Sequence, residues 1–495
     1  MPNLFHRPRR VGCSVVIGET SPALAEISPV NPRLVIAMEA KKENQFQSFS
    51  RSVGRFGLHK KTVLIPEMNR IAAHLVAATL RGFGIQAKVL ETYKRIDLGL
   101  EYTSGKECFP CQITLGDILY FVEKEKERLG EAFNPEDYLY FLPEAEGPCR
   151  FGMYNKYQRI VLDSFPGLDK LKIVSITSLD GYSFSGLLEG SQHQDFRKAG
   201  YLSLVIADLL DRLLWRIRPY EKEQGMADEF MEKSMHAMAD ILEAYGPKKK
   251  FDKALNKLEE IVEEGKGIIN PHLPRKPLIG IVGEVFVRMH VQANHNLIRT
   301  LERFGAEVVN ASLTEWVNFV SYVGYKNGTH GFRLNVKQLR LSPVGEHLKK
   351  IIGFKGELLY QELSQKKAYK KVRSIIDLEQ DHKMSHLDHI LQQLDLFSIV
   401  LGTEPCCGIA GIVEYARRGF NGVVNVYPFT CMLSLTTSAI VKPVVERLKI
   451  PFLDAPCDSS IQPGREAAIR TFMYQAYQHL RRNVKNRSHG KVCGS

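Results

Sequence analysis

The sequence predicts an α/β protein made of two open parallel-sheet lobes with a helical segment between them. Three features predict it. Short apolar runs alternate with stretches of helical spacing in two separate regions, the pattern of strand–helix–strand units that bury a parallel sheet. A long, purely helical stretch divides those regions. Composition is that of an ordinary globular chain, 44% hydrophobic and 25% charged, which excludes disordered, collagen-like and mucin-like classes. At 495 residues the chain can bury a large core without disulfides.

Residues 1–61 are polar and basic, and read as an extension with one strand near Leu34–Met38. The first lobe covers 62–198. Thr62–Pro66 is its first strand, Arg70–Arg81 a helix closed by Gly82 and Gly84, and Gln86–Leu90 a second strand. Tyr138–Leu142 and Leu171–Ile176 are further buried strands, with a helix over Tyr154–Asp163. Residues 199–271 are helical; Leu202, Val205, Ile206, Leu209, Leu210, Leu213, Leu214 and Ile217 form one apolar stripe. The run 271–277 (PHLPRKP) reads as a linker. The second lobe covers 272–482. Its strands are Leu278–Val282, Glu307–Val309, Gly422–Val426 and Pro451–Leu453. Its helices are Ala293–Phe304, a Lys-rich stretch over 344–394, Ser434–Leu448 and Arg465–Arg481, with a basic tail at 483–495.

The net charge of +12 is concentrated at the ends: residues 1–61 carry +6, residues 481–495 carry +5, and the body between about +1. A nucleic-acid groove spreads basic residues over a folded face, so no nucleic-acid partner is expected. The most apolar helix, Tyr201–Ile217, is interrupted by Asp208, Asp211, Arg212 and Arg216 and cannot span lipid. No signal-peptide pattern follows the basic start. A cytoplasmic protein without membrane contact is expected.

In that compartment the nine cysteines read as metal or redox ligands before disulfides. Cys108 and Cys111 form a C-x-x-C ahead of a helix. Cys149 follows the strand YLYFL, and Cys431 follows GVVNV. Cys406 and Cys407 sit in GTEPCCG, Cys457 in DAPCD, and Cys13 and Cys493 in the tails, where free thiols are expected. Carboxyl ends of strands in open α/β sheets form ligand crevices, so cysteines of both lobes can converge there. Soft thiolates select zinc, copper(I) or iron–sulfur. The dispersion of the thiols suits an iron–sulfur cluster better than a structural zinc built from local pairs. Zinc, dithiol redox chemistry and inert thiols stay open.

Four stretches in order, GKECFPCQITLGD, FLPEAEGPCRFGMY, GEVFVRMHVQANHNLIRTLERFGAEV and VVNVYPFTCM, resemble proteins related to 2-hydroxyacyl-CoA dehydratase activases, dehydratase subunits and double-cubane cluster proteins. The resemblance spans about 60–480. It implies two Rossmann-like lobes and a [4Fe-4S] or double-cubane cluster held by Cys108 (or Cys111), Cys149 and Cys431. Cys406, Cys407 and Cys457 could supply the additional thiolates of double-cubane relatives. It also implies electrons from an ATP-dependent activase with its own iron–sulfur cluster, pairing with a like or unlike subunit, and an anaerobic metabolism. The expected activity is reduction or dehydration of a bound small molecule or acyl-CoA. Where relatives continue the last motif with Pro-Gly, this chain has Met432, Leu433 and Ser434, and no phosphate-binding loop of an ATPase occurs. No general acid–base pair is identifiable by spacing, so whether the chain is a catalyst stays open. A non-catalytic assembly or regulatory subunit without a cluster, or a zinc-stabilised binding protein, are the alternatives.

Other residues complete the expectation. Arg150 could donate to cluster sulfur or form a surface salt bridge. Glu284 and Arg288 follow a strand end and could orient a substrate or pair across the lobes. His382, His386 and His389 share a face if helical, and a solvated face is expected there. Tyr154, Tyr157 and Phe165 are expected in the core.

Overall fold

In a computed structural model of the chain, residues 52–339 and 344–490 are described. By its contacts the chain divides into Met1–Ser48 and Phe49–Ser495, and the described residues all belong to the second unit. The strand expected near Leu34–Met38, and Cys13 and Cys493, lie outside the described residues.

The protein is α/β, with two sheets whose strands all run parallel. The first contains β1 (Val53–Gly54), β2 (Thr62–Ile65), β3 (Ala87–Val89), β4 (Tyr138–Phe141) and β5 (Lys172–Val174), in the order β1-β5-β4-β2-β3. The sheet thus begins before residue 62: Val53 and Gly54 pair with Ile173 and Val174, and Leu58 is buried. The second sheet contains β6 (Leu278–Gly283), β7 (Glu307–Asn310), β8 (Gly422–Pro428) and β9 (Phe452–Cys457), in the order β7-β6-β8-β9. Strands β2 to β5 and β6 to β9 follow one scheme, second-first-third-fourth. In such sheets the chain reverses direction of travel between the first and third strands, and ligands collect outside the carboxyl ends there.

Helices cover the sheets because their apolar faces match. Asn69 opens the helix Arg70–Gly82 by accepting the Ala72 N–H at 2.7 Å. Ile71, Leu75 and Ala78 on that helix then join a core built by Gln192–Ile217, Met226–Tyr245 and Phe251–Lys266. Three of the four charges that interrupt the stripe of Gln192–Ile217 are buried and employed, and Arg216 is partly exposed. Asp208 accepts the N–H groups of Leu313 and Thr314 at 2.9 and 2.8 Å, capping the helix Leu313–Lys337. Asp211 accepts from Asn69, and Arg212 pairs with Asp381. The Lys-rich stretch is the helix Val344–Arg373, followed by Met384–Gln393. Among the described residues no helix is long and apolar enough to cross a membrane.

Each sheet has core clusters of its own, and one cluster joins the two sides. Phe109 and Ile113, from the helix Phe109–Leu129, pack with Ile279, Phe286, Val287 and Val426 of the second sheet and its loops. That packing brings the loops of both sheets together.

Candidate functional site

Three cysteines stand at three helix starts. Cys108 precedes the helix Phe109–Leu129, Cys149 precedes the 3-10 turn Arg150–Met153 that runs into the helix Tyr154–Asp163, and Cys431 precedes the helix Met432–Leu448. Cys149 and Cys431 follow β4 and β8, the corresponding third strands of the two sheets, where the strand order reverses. Two of these loops are strained. Cys108 itself adopts φ 97° and ψ 145°, a conformation that side-chain-bearing residues rarely hold, and Thr430 ahead of Cys431 has φ 62°. Such strain costs on the order of 1–3 kcal/mol and collects at functional sites.

The loops meet. Cys149 packs against the small cluster of Tyr427, Cys431 and Leu433. Arg150 donates from Nη1 to the Lys106 carbonyl at 2.5 Å and from Nη2 to the Thr430 carbonyl at 3.1 Å, so one guanidinium joins all three cysteine loops. Cys108 feels the charge of Cys431, and Cys149 that of Cys108. Burial is the main influence on each thiol, pushing Cys108 up to about 12 and Cys431 up to about 11, with Cys149 also raised. The carboxyls of Glu284 and Glu404 push the same way. The Tyr154 hydroxyl, donating to the Cys108 sulfur, opposes that rise. Helix N-termini likewise favour negative sulfur. Burial thus favours the protonated thiol at each of these positions, and a bound cation would displace those protons.

The remaining sequence candidates lie elsewhere. Cys111 is fully buried in the core of the first sheet, 3.9 Å from Gln158 Nε2. Cys406 donates to the Ser398 carbonyl within the core of the second sheet. Cys407 lines a small pocket with Arg288, Glu315 and Glu404. Cys457 packs in another core region, with Arg465 Nη1 at 3.5 Å. Glu284 and Arg288 do not pair across the sheets: Glu284 accepts the N–H groups of Phe286 and Val287, and Arg288 donates to the carbonyls of Gly283 and Ser312. The expected solvated histidine face is also corrected. His382 precedes the helix and is buried against Glu315 at 3.0 Å, His386 meets Glu414 at 2.9 Å, and His389 is exposed. Among the described residues Arg150 forms no surface salt bridge; it grips the backbone carbonyls of Lys106 and Thr430.

Several participants had no signal in the sequence. Glu404 accepts the Val285 N–H through Oε1, while its buried Oε2 has no partner, and burial pushes its carboxyl up to about 8. Tyr154, expected in the core, is there and also touches the thiol site. A bonded chain crosses between the sheets. Thr92 donates to Asp117 at 2.7 Å and lies 2.8 Å from His290 Nε2. His290 Nδ1 accepts the Ala293 N–H, so Nε2 carries the proton and donates to Thr92.

Comparison with known proteins gave no matching family model and no matching curated protein. Function therefore rests on the donors themselves. Among the described residues no group of three His, Cys, Asp or Glu side chains is placed to hold a single metal ion. Zinc needs four donors about 2.0–2.3 Å from one point. Three thiols on separate loops, each at a helix start and all within mutual electrostatic reach, suit a larger inorganic body.

Proposed function

We propose that this chain is an iron–sulfur protein whose cluster, [4Fe-4S] or double-cubane, is held by Cys108, Cys149 and Cys431. The observation that carries the reading is the meeting of these three thiols, 282 residues apart between Cys149 and Cys431, under the single guanidinium of Arg150. The common strand order of the two sheets supports Rossmann-like lobes. Of Cys108 and Cys111, both buried, the first is favoured because it is the one within electrostatic reach of Cys149 and Cys431. A bound cluster would supply low-potential single electrons.

The chain's own residues position and tune. Arg150 fixes the loops, Tyr154 donates to the Cys108 sulfur, and hydrogen bonds to sulfur raise a cluster's potential. Burial raises the Glu404 carboxyl, which lies within electrostatic reach of Cys149 and Cys431. Phe429, Met432 and Leu435 stand exposed beside Cys431, which supports entry of electrons from a docked protein. We assign that role to a separate ATP-dependent activase, as in 2-hydroxyacyl-CoA dehydratase systems, with reduction or dehydration of a bound small molecule or acyl-CoA as the outcome. The seven described cysteines are all unpaired, which supports a cytoplasmic setting.

Anaerobic reconstitution with iron and sulfide tests the reading. A brown protein is expected, with about four or about eight irons per chain. Cys149→Ser and Cys431→Ser should each lose most of the absorbance, and Cys111→Ser should keep it. Full iron content in both Cys149→Ser and Cys431→Ser would refute the ligand set.

A further inference from the structure

A cavity of about 280 Å³ opens between the two sheets, beside the thiols. Its wall includes Phe141 at the end of β4, Phe151 and Tyr182 from the first sheet's loops, Leu204 from the helix Gln192–Ile217, and Phe286 and Trp316 from the second sheet's side. It reaches the cysteine loops without including a cysteine. Phe151 lies two residues beyond Cys149, Pro110 two beyond Cys108, and Tyr154 lines the cavity while its hydroxyl bonds Cys108.

The polar groups in this wall are already committed. Arg197, its one Arg or Lys, pairs with Glu357 at 3.4 Å and donates to the Gly181 carbonyl at 3.2 Å. Asn69 bonds Asp211 and Ala72, Glu284 bonds two backbone N–H groups, and the Tyr182 hydroxyl accepts from Trp316 Nε1 at 3.3 Å. Among the described residues of this wall no cation is free for a carboxylate or phosphate, and an unpaired charge is costly to bury. An apolar cavity of about 150 Å³ accepts benzene, so this one has room for about two rings.

We infer that the cavity binds an uncharged, compact, mainly apolar molecule, placed against Tyr154 next to the thiol site. The inference narrows the substrate class of the proposed function, and its place in a reaction rests on that reading; binding itself does not. Trp316 gives the readout. A Trp215→Phe chain keeps Trp316 as its sole indole, and can be titrated with nitrobenzene, a quencher, and with 4-nitrobenzoate, its charged analogue, before and after iron reconstitution. Saturable 1:1 quenching by nitrobenzene is expected, with 4-nitrobenzoate at least about tenfold weaker. Filling the cavity by Leu204→Phe or, independently, Val317→Phe should weaken nitrobenzene by about tenfold or more in calorimetry, with the far-ultraviolet spectrum unchanged in at least one of the two. Absence of saturation, equal affinity for the carboxylate, or indifference to both fillings would overturn the inference. A brown protein that fails to bind refutes the cavity alone; a protein that binds but takes up no iron refutes the cluster alone.

Discussion

Arg150 shows what a single side chain can settle. Its fork spans two carbonyls, Lys106 from the same sheet and Thr430 from 280 residues away. Hydrogen bonds from a charged donor contribute about 1.5–3 kcal/mol when well shielded, and less at this half-exposed position. Arg150→Ala should therefore cost about 1–2 kcal/mol in urea unfolding and speed iron loss to a ferrous chelator several-fold. Arg150→Lys should recover only part of either, because an ammonium cannot serve two acceptors in the fixed geometry of a guanidinium; full recovery would show that charge alone matters. The cysteines were legible because thiols are rare and chemically marked. The roles of Arg150, Glu404 and Thr92 were not, since each is defined by partners more than one hundred residues distant.

At the scale of elements, the strands were legible where four or more residues formed an apolar run before Gly, Pro or polar sequence. TVLI and GVVNV are examples, and both are buried almost throughout. β1 escaped because it has two residues and lies within a basic stretch. The helix Leu313–Lys337 was missed because its buried side mixes Thr314, Glu315, Asn318 and Ser321 with few apolar residues; its start carries a local cap, Ser312 accepting the Glu315 N–H, and Asp208 adds a tertiary one. Glycines separate the two kinds of constraint. At Gly283, φ is 121° and an added Cβ would lie 1.9 Å from the Val426 carbonyl oxygen. Gly283→Ala should cost about 3 kcal/mol or more and disturb the pairing of β6 with β8. Gly356, within the helix Val344–Arg373, has open space around the same position. Gly356→Ala should stabilise by about 0.5–1 kcal/mol, and thermal unfolding of the pair measures both signs.

For the whole molecule, buried carboxyls set the pH response. Burial pushes Asp117 and Asp211 up to about 7, and raises Asp208 as well. An acid whose folded value exceeds its unfolded value near 4 binds protons more tightly in the native chain, so its stabilising effect is complete below about pH 4 and is lost progressively as pH rises through the folded value. His290, lowered to about 4 by burial, acts oppositely, but its effect is complete above about pH 6.5. The urea midpoint of the iron-free protein should therefore fall between about pH 6.5 and about pH 8. A flat or rising profile would show that these carboxyls ionise freely in the native state.

Among the described residues, tethers from one sheet's loops to the other's near the carboxyl ends include Arg150 to Thr430, Thr92 to His290 and Trp316 to Tyr182. A hinge motion wide enough to admit a bulky guest must stretch at least one of them, and stretching the Arg150 tether pulls Cys149 away from Cys431. Admission of a large visitor and the closeness of the Cys149 and Cys431 loops are then competing demands, and the gateway can widen only while those loops part.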